Sequence, residues 1–254
     1  MSFLFPYLFF ALVLLGFMLV ASLAFGSALA PMPQAVLKAF VNLVSSGELF
    51  SELSVTVGRG IQGILWANLV GVTLGVVAGF NSKLLKLTSP LVMALQACPP
   101  IVWITLVMVW AGTGTAVPVA TVFAATLPFV FSTTAQGVMG LNRRVLAMNR
   151  LYAVPRRRVL LSYVLPGVLP YWLAGFSTVL ATAWKAAAVA EFLGSHQGIG
   201  ARIFWSYHKL QMEDLNAWAL SLILLGVFLE CALVMPLRRK AASLETRGTQ
   251  TCSQ

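Results

Sequence analysis

Lys185 and Glu191 are ionisable side chains set inside an apolar run, Ala183-Trp184-Lys185-Ala186-Ala187-Ala188-Val189-Ala190-Glu191. A charge in hydrocarbon is costly, so such groups face either a watery path or a partner inside a bundle. They are about 600 degrees apart round an ideal helix, so they share no face and each needs its own partner or water. A lysine on an aqueous path would attract an anion; a structural ion pair or a backbone contact is the competing reading. Glu230 lies late in another apolar run, within reach of Arg238, and reads as a structural pair. The sets needed for covalent or metal chemistry are missing. Both histidines, His196 and His208, fall in one loop, and there is no HExxH, GxSxG or GxxxxGK[ST] pattern. No catalytic residue, metal site or cofactor is expected, and the chain does not read as an enzyme or as binding ATP through such a loop. Cys98, Cys231 and Cys252 give no metal spacing or disulfide framework.

A second group of residues is chemically conspicuous. Leu141 to Pro166 carries six arginines and no acid. Leu141, Val145, Met148 and Tyr152 recur at helical spacing as one apolar stripe, with Arg143, Arg144 and Arg150 largely off it. Val154-Pro155 then breaks the helix, and Pro155 suits the first turn of a second one. A plain connection between membrane helices needs roughly 2 to 8 residues, so this helix-turn-helix is built to touch something. Anionic lipid heads would explain the charge. A groove on a cytoplasmic partner would also explain the stripe and the turn.

These residues must be positioned by membrane helices. The 254 residues are 59% hydrophobic and only 9% charged, with a mean hydropathy of +0.88, which excludes a soluble domain of this size. Six runs are long enough to cross a bilayer as helix: about Phe3 to Ala30, Val55 to Phe80, Leu87 to Ala111, Val117 to Gln136, Leu165 to Leu193 and Leu215 to Pro236. They lack the alternation of barrel strands, so the fold class is an all-α integral membrane protein. The net charge of +10 does not point to nucleic acid. Threading six spans from a cytoplasmic N-terminus puts twelve of the seventeen basic residues inside: Lys83, Lys86, the six arginines, Arg238, Arg239, Lys240 and Arg247. Both termini are therefore expected in the cytoplasm.

Smaller features fill in the frame. Ala28-Leu29-Ala30 resembles a cleavage site, but the run before it has no basic start and is too long for a signal peptide, so a retained helix is expected. Val36, Leu37, Phe40, Val41 and Val44 predict one apolar face of a short helix lying on the outer membrane surface. Arg59 is close enough to the outer boundary to snorkel. Gly60, Gly63, Gly71, Gly75 and Gly79 would permit close helix contact. Cys98-Pro99-Pro100 must break or kink the third span.

In order and spacing these residues resemble the membrane subunit of bacterial ABC importers, the binding-protein-dependent permeases. That family's cytoplasmic loop carries an EAA triplet, a glycine and a terminal I-x-L-P. Alignment on Leu165-Pro166 puts the triplet at Ala147-Met148-Asn149, the glycine at Ala153 and the isoleucine at Tyr163, so only Leu-Pro matches outright. Pro166-Gly167 to Gly175, Trp184-Lys185, Ala190-Glu191, Gly198-Ile199-Gly200 and Leu215-Asn216-Ala217-Trp218 followed by Glu230 resemble the branch of nitrate, sulfonate and taurine permeases. Ser54 to Arg59, Pro99-Pro100 and Gly112-Thr-Gly agree with it in the N-terminal half.

The resemblance implies a six-helix type I importer permease in the bacterial inner membrane, in contact with lipid. It would pair with a second copy of itself, two cytoplasmic ABC ATPase subunits that hydrolyse ATP, and a periplasmic solute-binding protein. It implies a single permease domain over 1–254, with a core region of about 52–240, a cytoplasmic coupling loop at 137–164 and a flexible tail at 241–254. ATPase coupling would fall to Ala147, Met148, Asn149, Arg150, Tyr152, Ala153, Val154, Pro155 and Arg156. The translocation pathway would involve Pro99, Pro100, Trp184, Lys185 and Glu191. The expected solute is a small anion such as nitrate, a sulfonate or taurine. A neutral or cationic vitamin precursor is the alternative, and an ion-gradient transporter, which would show inverted repeats, is the alternative from another class.

Overall fold

A computed structural model describes residues 31–237 and isolated positions between 16 and 26. Most of the first apolar run, the tail and Arg238 lie outside the described residues. The described chain is helical, without strands.

Helix α1 (Pro33–Ser45) opens on a proline whose fixed φ suits a first turn. Gly47, at φ 76, turns the chain into α2 (Glu48–Phe80), which begins about two turns earlier than the apolar run predicts. Its 33 residues extend about 50 Å, more than a hydrocarbon core of roughly 30 Å. The chain then passes through α3 (Ser82–Ala97), α4 (Pro100–Ala111) and α5 (Ala116–Met139). Beyond α5 come α6 (Arg143–Leu151), α7 (Arg156–Val159), a π turn (Leu160–Val164) and α8 (Leu165–Gly194). α9 (Ile199–His208) and α10 (Met212–Leu229), continued by a second π turn (Glu230–Val234), complete it.

A ladder of small residues positions everything else. A Cβ added to Gly63, Gly71, Gly75 or Gly79 would lie 2.6, 2.8, 2.8 or 2.6 Å from the Cβ of Val122, Val130, Thr134 or Val138. Glycine is thus required for α2 and α5 to approach this closely. Gly60 meets open space and stands outside the ladder. Numbers rise together on both helices, so α2 and α5 run parallel, and the segment between them must return the chain to its starting end. It does so as a broken element: α3 and α4 meet at 94°, at the Pro99-Pro100 step where two backbone donors are missing. α8 packs antiparallel against α5, with Gly137 beside Val168 and Gly194 beside Val117. Among the described residues four helices are long and apolar enough to cross a membrane, or five if the bent pair counts as one.

Two predicted faces are placed differently. On α1 the buried side chains are Val36, Ala39 and Leu43, packed with Leu49, Ile199, Ala217 and Trp218. Leu37 and Val41 are exposed, because α1 turns the edge of its apolar face, not its centre, toward the bundle. The stripe from Leu141 to Tyr152 is also split. Leu141 is core, packed with Val138, Val164 and Val168, and Leu146 joins that cluster, whereas Met148 and Tyr152 stand in the open.

Candidate functional site

The helix-turn-helix lies at the end of the bundle marked by Gly79 and Val138. Asn142 caps α6 by accepting the Arg144 N–H at 2.9 Å. Tyr163, where the family motif has isoleucine, accepts the Asn142 N–H at 3.0 Å through its hydroxyl. It therefore ties the start of α6 back onto the helix entering α8. At the other end the Ala153 N–H donates to Arg150 O at 3.1 Å and the Val154 N–H to Asn149 O at 2.9 Å. This is the double closure of a Schellman cap, whose pivot normally falls on glycine in the left-handed region. Here the pivot is Ala153, at φ 50, the position that aligns with the motif glycine. Pro155 keeps Val154 out of helical conformation and accepts the Val159 N–H at 3.2 Å to start the next helix.

Residues 147–156 are thereby gathered on one projecting hook. Met148, Leu151 and Tyr152 are 58, 83 and 72% exposed, an apolar tip surrounded by exposed arginines. Leu151 was not among the residues picked out from the sequence, because the stripe of fours and threes passes over it. From Arg156 the chain is helical without a break to Gly194, 39 residues, so the C-terminal end of the hook runs directly into α8.

A buried polar cluster closes the opposite end. Glu191 on α8 is fully buried and Arg59 on α2 is 4% exposed. Arg59 Nη1 donates to Glu191 Oε1 at 3.0 Å and to Gln197 O at 2.7 Å, while Nη2 donates to Thr115 Oγ1 at 3.1 Å. The Thr56 hydroxyl donates to Glu191 Oε2 at 2.8 Å and accepts the Ile199 N–H at 2.9 Å. The Gly200 N–H reaches Oε2 at 3.3 Å. A Cβ on Gly198, at φ +100, would strike the Glu191 carboxylate at 2.3 Å, so the loop can wrap this close only as glycine. Glu52, buried, holds Arg202 at 2.8 Å and the Gly198 N–H at 2.5 Å. Arg59 does not snorkel: it turns inward because a carboxylate on another helix outbids the surface. The short motifs Thr56 to Arg59, Gly114-Thr115, Glu191 and Gly198 to Gly200 all converge here.

The residues considered for a pathway face different surroundings. Pro99 and Pro100 are exposed at the α3–α4 elbow. Lys185 is exposed on α8, its amine 5.6 Å from the centre of the Trp184 ring, and that ring packs on Gly226. Glu191 is shut inside the cluster.

Residues 71–238 match the family described as binding-protein-dependent transport system inner membrane component. A Bacillus subtilis protein named for aliphatic sulfonates transport is 27% identical over 173 residues, 68% of this chain and 63% of that one. The bicarbonate transport system permease protein of Synechococcus elongatus is 24% identical over 183 residues, 72% of this chain and 66% of its own. Among solved structures, an inward-facing methionine ABC transporter superposes with a TM-score of 0.60 at 18% identity, over 80% of this chain and 97% of the other. That last likeness concerns the fold alone.

Proposed function

The chain belongs to the binding-protein-dependent transport system inner membrane component family, in the branch of sulfonate, taurine and bicarbonate permeases, and from this premise we propose how the ABC importer subunit works. It spans the bacterial inner membrane with six helices, the run Phe3 to Ala30 supplying the first, and keeps both termini in the cytoplasm. Two copies form the path between them. A pair of ABC ATPase subunits binds the arginine-rich end, and a periplasmic binding protein delivers solute at the end that holds Arg59 and Glu191. ATP hydrolysis belongs to the ATPase partners. An ion-gradient transporter is not favoured by this membership.

One observation carries the coupling assignment: the exposed Met148, Leu151 and Tyr152 tip sits one capped turn, Ala153 to Pro155, before the unbroken helix from Arg156 to Gly194. An ATPase cleft that takes up this tip gains apolar contact, and closure of the ATPase pair then pulls on a helix that reaches the far end of the bundle. Ala147 to Arg156 form the contact, with Ala153 and Pro155 fixing the angle of the hook. Solute choice follows charge. Lys185 is a cation at mid-helix with no carboxylate bound to it among the described residues, and the named relatives carry sulfonates and bicarbonate. A small anion such as a sulfonate, taurine, nitrate or bicarbonate is therefore the cargo, with Pro99, Pro100 and Trp184 beside its route.

Replacement of Met148 by Asp tests the reading. The side chain is exposed, so folding should be unaffected, while a carboxylate in an apolar docking cleft should cost about 2 kcal/mol or more, roughly thirtyfold in ATPase affinity. Uptake should collapse at an unchanged amount of membrane-inserted permease. Normal uptake by the Met148→Asp variant would sink the assignment.

A further inference from the structure

Two grooves join along the outside of the α2–α8 seam. One, of about 700 Å³, lies between Phe80 at the end of α2 and the helix-turn-helix, and Arg150, Arg156 and Arg157 line it. The other, of about 670 Å³, is almost wholly apolar and follows the seam from Val76 to Leu65 on α2 and from Val164 to Trp172 on α8. Leu160 and Val164 line both, so the two adjoin at these side chains as one basic-to-apolar channel in outline, with the arginines at one end and the apolar groove beyond. From Val76 to Leu65 it covers about 16 Å of helix rise, half of a hydrocarbon core of roughly 30 Å. Trp172 lines its far end, donating to Asn68 Oδ1 at 3.0 Å and stacking on Phe176 at 4.8 Å.

We propose that this channel seats one anionic phospholipid of the leaflet at the arginine-rich end, with an acyl chain along the seam and the phosphate among Arg150, Arg156 and Arg157. The length is that of one leaflet, and the charge is complementary. No Asp or Glu occurs between Glu52 and Glu191, and none of the three arginines is salt-bridged among the described residues. The run Phe3 to Ala30 could fill an apolar groove but carries no acid to meet the arginines. An ATPase could meet the arginines but does not enter hydrocarbon. A phospholipid supplies both halves. Arg150 and Arg156 belong also to the ATPase contact proposed above, so the headgroup would sit against the coupling hook itself and membrane charge would set how firmly that hook is held.

The test uses the full chain with any ATPase it retains, in nanodiscs of mixed phosphatidylglycerol and phosphatidylcholine, with lipid retention followed by native mass spectrometry during delipidation. The parent should hold phosphatidylglycerol last. The combined variant Arg150→Gln, Arg156→Gln, Arg157→Gln should lose that preference by about a hundredfold. Val72→Trp, which fills the apolar groove and leaves the arginines in place, should lose the retained lipid altogether. An unchanged preference in the arginine variant, or unchanged retention in Val72→Trp, overturns the site. So does a disulfide formed in membranes between a cysteine placed at Val72 and one in the first run, since that run would then occupy the groove. Lipid retention is read without transport, so a failure of the coupling assignment at Met148 leaves this measurement intact.

Discussion

Replacement of Glu191 by Gln should be among the most damaging single changes in the chain. The glutamine keeps the shape but removes the charge. It leaves the Arg59 guanidinium, 4% exposed, facing only the neutral oxygens of Gln197 and Thr115. Breaking a buried pair by removing one partner costs about 3–5 kcal/mol, or roughly 6–20 °C of melting temperature for a chain of this size. Arg59→Met should cost a similar amount by stranding the carboxylate. Arg59→Met with Glu191→Met removes both charges and fills the space with apolar atoms, so it should lose less than the sum of the single changes, by about 2–3 kcal/mol. Melting curves of the detergent-purified protein, with Glu191→Met as the second single change that closes the double-mutant cycle, measure each quantity. Additive losses, or a Glu191→Gln protein that melts with the parent, would refute the reasoning. A variant that melts normally yet fails to transport would return Glu191 to the solute path.

Three further outcomes follow from the geometry. Ala153→Gly should be neutral or stabilising by up to about 1 kcal/mol, because the left-handed pivot strains alanine, and Ala153→Val should weaken the hook by about 1–2 kcal/mol; ATPase pull-down affinity reads both. Gly75→Val would place a Cβ 2.8 Å from that of Thr134 and should destabilise by about 1–3 kcal/mol, whereas Gly60→Ala, with open space around it, should gain up to about 1 kcal/mol in melting experiments. Lys185→Gln should raise the KM for sulfonate or bicarbonate uptake roughly tenfold without moving the melting temperature, since it removes about 1.4 kcal/mol of attraction from an exposed site; an unchanged KM would remove Lys185 from the path.

What could be read from the chain is what local pattern encodes. The apolar runs, the break at Pro99-Pro100, the glycines at fours and the turn at Val154-Pro155 each depend on neighbours within one or two turns. The destination of Arg59 does not. Its carboxylate lies 132 residues away, and from α2 alone a cation near the end of an apolar run looks like a snorkelling one. The available signal was joint: Thr56 to Arg59, Gly112 to Gly114 next to Thr115, Glu191 and Gly198 to Gly200 all belong to or adjoin the stretches that resemble one family. The stripe through Leu141 failed for a related reason. Periodicity marks a helix face but does not say where along it the protein stops covering that face, and the boundary falls between Leu146 and Met148.

The α2–α5 seam repeats itself. Gly63, Gly71, Gly75 and Gly79 meet Val122, Val130, Thr134 and Val138, and Ala67 and Thr126 continue the same spacing, so the partner series alternates two side chains of nearly equal shape. A slide of four residues, about 6 Å, would bring much the same surfaces together again, as one-turn ratchets between helices do. Packing alone therefore fixes how near the two helices lie but not which rung meets which. The index mark is Arg59, whose bonds to Thr115, Gln197 and Glu191 admit one setting only. The bundle is graduated like a ruler along its length, and the setting of the whole seam is fixed by contacts made at one end of it.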